Sequence, residues 1–293
     1  MIVDLQELAR SVAPSRRGTA FVRPVVPREA DVRALEHINI TEVIKPWRDT
    51  IRQIVSAYTV PTLDAVTDAD GTQLVWLVRQ QQQAIDRRII YQTETLGRWV
   101  TGTSARHLGA TVRNIKSATG VDVEPFMRVA TVRPILEAAT QENVSLISNL
   151  NGDMRRRAEQ ILLNGFLLRK TRAQVAQELR QALGITLRRA KNIARDQAEK
   201  LSATLTKTRN EELGITHFRW LTRLDDRVRK THEAREGRVY SWATGAPIPE
   251  KFPGVAINCR CVAEAVIAYA GSSWRRGGYR RRTRGESGNA TDD

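Results

Sequence analysis

At 293 residues the chain is far above the size at which a hydrophobic core becomes marginal, so one large or two modest domains can fold without staples. Hydrophobic residues make up 41% and charged residues 27%, with 5% aromatic, the usage of a soluble and mostly ordered protein. Lys and Arg number 47 against 32 Asp and Glu, a formal net charge of +15 with a pI near 10.6. That balance favours a polyanionic partner, nucleic acid first, over a membrane, although such charge can also serve solubility alone. No window approaches the roughly 20 apolar residues of a transmembrane helix, and Met1-Ile2-Val3-Asp4 lacks the charged-then-apolar order of a signal peptide. A chain made and kept in the cytosol is expected. The two cysteines, Cys259 and Cys261, are one residue apart, which rules out a disulfide framework and leaves any cysteine role local.

Residues 1–27 carry Pro14, Pro24, Pro27, Arg16, Arg17 and Arg23 without a sustained apolar period and are read as an extended basic arm. Ile40, Val43, Ile44, Trp47, Ile51, Ile54, Val55 and Tyr58 then follow helical spacing, and Pro46 predicts that the regular helix starts there. A second helix is expected from Thr72 to about Val100, spanning roughly 40 Å, with Gln80 to Gln83 as a wet face. Ser104 can cap a shorter helix through Ile115, which Gly120 ends. Val121 to Pro134 is open between strand and loop, since Pro125 and Pro134 limit any helix.

From Gln141 to Leu168 the spacing predicts two helices broken near Asn151-Gly152. Thr171 followed by Gln174 is a capping-box signature, with Val175, Leu179 and Leu183 as the buried stripe and Gly184 as the stop. Another long helix begins near Thr186 and runs to Leu213, where Gly214 can supply a left-handed terminus. Ile215 to Thr222 switches to a strand-like period that puts Phe218 and Trp220 on one face. The expected fold is mainly α. A helical region (28–186) follows the arm, then a small α+β module with a short sheet (187–270), then a disordered Arg-rich tail (271–293).

Within that module the sequence reads Trp220, Thr222, Asp225-Asp226-Arg227, Arg229, His232, Gly237, Pro247, Pro249, Pro253-Gly254 and Asn258-Cys259-Arg260-Cys261. This ordered set resembles the core signature of the phage Mu F-like head-morphogenesis family. The resemblance is specific over residues 187–267. Residues 121–186 are similar to the family in helix rhythm, and residues 1–120 are assigned by association. Upstream, Arg189-Ala190 and Ile193-Ala194-Arg195 resemble the family's preceding helix, where Thr-Glu commonly follows the arginine; here Asp196-Gln197 stands instead.

The motif also has a reading from its residues alone. Asp225 or Asp226 can cap a short helix and pair with Arg229, and His232 then projects from the last turn of that helix. The spacing predicts a strand through about Ile267 in which Cys259 and Cys261 sit two apart, which points both sulfurs to one face. With His232, and either Asp225 or His217, they can form a tetrahedral zinc set. The plain alternative is a pair of buried thiols beside a satisfied histidine. Asn258 and Arg260 are expected to lock the loop 243–257 to the sheet through hydrogen bonds and an Asp pair.

No phosphate loop, nucleophile elbow or His-Glu-x-x-His pair is present, so a non-enzymatic role is expected. The enzymatic alternative is a metal-dependent nuclease or hydrolase using Asp225, Asp226, His232 and Glu233. After Ala270, Arg275, Arg276, Arg280, Arg281, Arg282 and Arg284 are interleaved with Trp274 and Tyr279. Such an arm can neutralise phosphates of double-stranded DNA without reading sequence, or simply solubilise the chain.

The family resemblance implies a minor capsid protein, acting in head assembly near the portal and in DNA packaging or delivery. Its partners would be portal, capsid and scaffold proteins, with no membrane and no obligatory cofactor. It would reside in the virion, and in host cytoplasm during assembly. A DNA-binding protein that never enters a virion is the third alternative.

Overall fold

A computed structural model of the protein describes residues 4–60 and 68–269, the side chains of 68–71 excepted. The Arg-rich tail and its six named arginines lie outside the described residues. The chain divides into two compact units: one from Met1–Val26, His107–Val129 and Ser202–Asp293, the other from Pro27–Arg106 and Ala130–Leu201.

The second of these units is helical. Helix α2 (Glu29–Asn39) has Glu29 and Asp31 in its first turn, where acidic groups favour the helix dipole. A five-residue π turn (Ile40–Ile44) joins it to α3 (Lys45–Ala57). The wider turn falls just before Pro46, whose ring and missing N–H a regular helix interior would not tolerate. Trp47, Ile51, Ile54 and Tyr58 are buried, as their spacing predicts.

The break after α4 (Asp68–Tyr91) falls at Gln92, not near residue 100, and α5 (Thr93–Thr119) runs on through Ser104, which is an interior buried residue and not a cap. Gln80 to Gln83 lie on α4 as a half-exposed to exposed face.

Helix α6 (Val129–Leu167) corrects two expectations. It incorporates Pro134 in its second turn, and it passes unbroken through Asn151-Gly152. Asn151 is fully buried: it accepts from Trp47 Nε1 at 2.7 Å and donates to Gln82 O at 3.0 Å and Asp86 Oδ1 at 2.8 Å. A side chain satisfied in this way does not compete for its own backbone, which is why a turn-favouring pair leaves the helix intact.

Helix α7 (Arg172–Glu212) opens with the expected capping box: Thr171 N–H donates to Gln174 Oε1 at 2.8 Å and Gln174 N–H to Thr171 Oγ1 at 3.3 Å. Gly184 does not stop it. It is an interior residue with open space where a side chain would be. The pair Asp196-Gln197 is buried and engaged, Asp196 by Lys200 at 2.8 Å and Gln197 by Glu142 at 3.0 Å.

The other unit is built on a four-stranded antiparallel sheet in the order β1 (Thr19–Val22), β4 (Val262–Ala268), β2 (His217–Leu221), β3 (Val239–Ser241). Residues 5–22 are therefore not an arm. Asp4 caps helix α1 (Leu5–Val12) by accepting from Gln6 and Glu7 N–H, and β1 pairs with β4 in the register Thr19 to Ala268.

Period-2 alternation gives the sheet two faces. On one, Ala20, Val22, Ala265 and Ile267 pack with Leu5, Ala9, Ile115, Val121, Val123, Leu213 and Ile215. On the same face further along, Phe218, Trp220 and Ala263 pack with Trp242, Ala246, Cys259 and Cys261. Gly214, at φ +67°, ends α7 as expected, with Ile215 N–H reaching back to Asn210 O at 2.9 Å. Among the described residues no helix is long and apolar enough to cross a membrane.

Candidate functional site

The motif residues converge at the β2 end of the sheet. Trp220 is fully buried, and its backbone N–H and O bond to Arg238 O at 2.9 Å and Gly237 N–H at 2.8 Å. Thr222, also buried, takes a backbone hydrogen bond to Glu236 Oε2 at 2.5 Å. Gly237 (φ +70°) and Gly254 (φ +83°) hold left-handed backbone that a side chain would strain, and Pro253 and Gly254 are buried.

The short helix α8 (Lys230–Glu233) has Arg229 at its N-cap without a side-chain cap. Neither Asp225 nor Asp226 caps it. Asp225 instead accepts from Arg227 N–H at 3.2 Å, forming a local turn, and from Arg260 at 2.6 Å. The Arg260 guanidinium holds the Asp225 carboxyl below the usual carboxylate range. Arg229 donates to Ile257 O at 2.7 Å, and among the described residues no ion pair joins it to Asp225 or Asp226. Arg260 thus does make an Asp pair, and the staple on the loop comes from Arg229. Asn258 takes a left-handed φ of +56°.

Cys259 and Cys261 precede β4 and do not lie in a strand. Both are nonetheless buried, unoxidised and turned to His232, with each Sγ 3.5 Å from its Nδ1. His232 is 1% exposed and meets Trp220 edge-on, ring centroids 5.2 Å apart. The three ligand atoms all lie within 4.8 Å of one another. The contact between the two sulfurs, in which Cys261 S–H donates to Cys259, lowers the Cys259 thiol below the ordinary thiol range and raises Cys261.

Neither Asp225 nor His217 joins this group, and among the described residues Asp226 and Glu233 share no three-ligand cluster with His232. The hard-oxygen set expected of a nuclease centre is not assembled. A pair of thiols and an imidazole is a soft donor set instead.

Two polar constellations went unseen in the sequence. On the second face of the sheet, Arg219 and Glu264 form a buried ion pair beside Phe21, at a cavity of about 560 Å³ lined also by Arg23, Arg223 and Glu236. In the same unit His107, on α5, is buried against Thr206, at 3.0 Å from Nε2, and Arg209, which donates to Nδ1. The imidazole is therefore neutral with its proton on Nε2. Burial first, and the Arg209 charge second, lower its pKa to about 3. Period-2 alternation placed Arg219 opposite Phe218 and Trp220, but nothing local in the sequence names Glu264 or Arg209 as the partners.

Residues 155–264 match the family described as phage Mu protein F like protein. The chain is also similar, at 31% identity over 155 residues, to an uncharacterized protein of Haemophilus influenzae. That alignment covers 53% of this chain and 34% of the relative, so the chain spans about a third of the relative's length. No solved structure matches.

Proposed function

Because residues 155–264 carry a phage Mu F-like region, we propose that this chain is a minor head protein of a tailed bacteriophage, acting in head morphogenesis and not as an enzyme. The observation that carries the reading is the family match, which covers Trp220, Asp225, His232 and the Cys259/Cys261 pair. The geometry is consistent with a structural role. Trp220, Thr222 and the two cysteines are buried, and Asp225 is engaged by Arg260.

Within the head, the protein acts near the portal, in packaging or delivery of the genome, in contact with capsid or scaffold proteins. Its net charge of +15 supports non-specific contact with packaged duplex DNA, which is salt-sensitive and blind to sequence. The arginines at 275, 276, 280, 281, 282 and 284 are the proposed phosphate contacts. The virion is its site of residence, with assembly in host cytoplasm.

The test is genetic. Deleting the gene from its phage, followed by electron microscopy of induced lysates, should leave heads scarce, aberrant or empty. The defect should be restored by the wild-type gene and by Asp225→Asn, because an ion-pair residue is dispensable where a catalytic carboxylate is not. Normal, DNA-filled heads from the deletion would remove the head role. Failure of Asp225→Asn to restore heads, with the variant folded and abundant, would point back to chemistry at that carboxylate.

A further inference from the structure

We propose that His232, Cys259 and Cys261 form a zinc site in which the three side chains supply Nδ1 and two thiolate sulfurs and a water supplies the fourth ligand. The first ground is distance. A tetrahedral zinc with Zn–S of about 2.3 Å and Zn–N of about 2.0–2.1 Å separates each sulfur from the nitrogen by about 3.6 Å. The two Sγ–Nδ1 separations are both 3.5 Å.

The second ground is hydrogen-bond arithmetic. A ring nitrogen has one lone pair or one proton, so it satisfies a single thiol well. Two sulfurs at equal distance from Nδ1 are the arrangement of three ligands around a common centre. Nε2 of the same ring is buried without a hydrogen-bond partner, so Nδ1 is the nitrogen turned to polar company.

Room for the fourth ligand comes from a small cavity of about 20 Å³ bounded by the three residues and by Arg223, Arg227, Arg229 and Arg260. That volume accommodates one water. Charge is compatible as well. Two thiolates neutralise a divalent cation. The donor set selects a borderline or soft ion over magnesium or calcium, which take oxygen ligands.

The site also has structural work to do. Twenty residues, 242–261, separate β3 from β4 with no strand or helix of their own, although Ala246 N–H does bond to Lys251 O at 2.8 Å. Gly245, at φ +71°, is pressed so closely on Lys251 that a Cβ would come within 2.7 Å of that residue's own Cβ. A metal joining α8 to the end of this loop would cross-link it to the sheet, and its binding energy would add to folding. The inference is independent of the head-protein reading, since it concerns only how the loop is held.

The experiment uses the full-length, reduced, metal-stripped protein titrated with Co²⁺. A thiolate-to-cobalt charge-transfer band that saturates near one equivalent and is abolished by Zn²⁺ is expected. Zn²⁺ should also shield Cys259 and Cys261 from alkylation, as mapped by peptide mass spectrometry, whereas Mg²⁺ should not. His232→Gln should weaken Co²⁺ binding by at least about tenfold, and Asp226→Asn should leave it unchanged. Absence of both the band and the shielding in wild-type protein that is folded by circular dichroism would overturn the site. Isolation of the fresh protein with a Cys259–Cys261 disulfide would overturn it too, assigning the pair to redox chemistry. Neither wild-type readout depends on a variant folding.

Discussion

Arg219 on β2 and Glu264 on β4 are direct register partners and bond Nε to Oε2 at 2.6 Å, with the guanidinium 3.7 Å above the Phe21 ring of β1. Each residue is 8% exposed, so the pair ties three strands together through a partly desolvated charge contact. Removing one member leaves a buried charge without its counterion. Glu264→Ala should therefore lower stability by about 3–5 kcal/mol in urea denaturation, while Arg219→Met with Glu264→Leu should recover most of the loss. A Glu264→Ala protein with an unchanged urea midpoint would mean that the pair is solvated and contributes little.

Asn151 holds α6, α3 and α4 together through Trp47, Gln82 and Asp86. Asn151→Ala strips the partners from the Trp47 N–H and should cost about 2 kcal/mol. Asn151→Asp keeps an acceptor for Trp47 but sets a second carboxylate against Asp86, so it should cost more. Thermal melts of the two variants, ranked against wild type, check the order. The reverse order would place the important contact at the Asn151 carbonyl alone.

His107 makes acid sensitivity local and calculable. Its folded pKa, about 3, lies below its unfolded value of 6.5, so the unfolded chain binds the extra proton. The contribution is complete above pH 6.5 and falls as pH drops towards 3, at about 1.4 kcal/mol per unit. At pH 5 about 2 kcal/mol should be gone. His107→Gln should flatten the wild-type slope between pH 6.5 and 5 in denaturant titrations; parallel slopes would show that carboxylates elsewhere dominate.

Trp220 has no exposed surface and packs against His232 and Tyr240. Trp220→Ala should cost about 3–5 kcal/mol and loosen the sheet unit, including the thiol pair beneath it. The checks are the urea midpoint and the alkylation rate of Cys259. Full stability with intact thiol protection would mean that Trp220 contributes little to the packing of this unit.

Deleting residues 272–293 removes the six arginines of the tail. DNA affinity measured by fluorescence anisotropy should fall, and the dependence of log affinity on log salt should flatten, since each lost phosphate contact releases fewer counterions. An unchanged slope would move the DNA contacts to the folded units.

Helix content was readable wherever an apolar stripe met a clean cap, as at Thr171/Gln174 and around Trp47, because i, i+3, i+4 spacing and reciprocal capping are local. Breaks were less readable. Asn151-Gly152 and Gly184 look like stops in isolation and are overridden, Asn151 by three tertiary hydrogen bonds and Gly184 by continuity of the helix around it.

The N-terminal segment is not legible as folded because β1 is only four residues long and its partner, β4, lies more than two hundred residues away. A strand that short has no period of its own to detect. At the site, residue type alone brings Cys259, Cys261 and His232 together, whereas Asp225, which looks like a cap, goes in the fold to Arg260, a partner 35 residues on. Long-range pairing of charges is the part that composition and spacing do not encode.

The measurement that bears most directly on the head-protein role is quantitative peptide mass spectrometry of purified phage heads, with this chain counted against the major capsid and portal proteins. A minor head protein predicts its peptides in DNA-filled heads at a small fraction of the capsid protein and at a constant ratio to portal. Their absence from heads, despite expression in the infected cell, would contradict that role and leave a DNA-binding protein outside the virion.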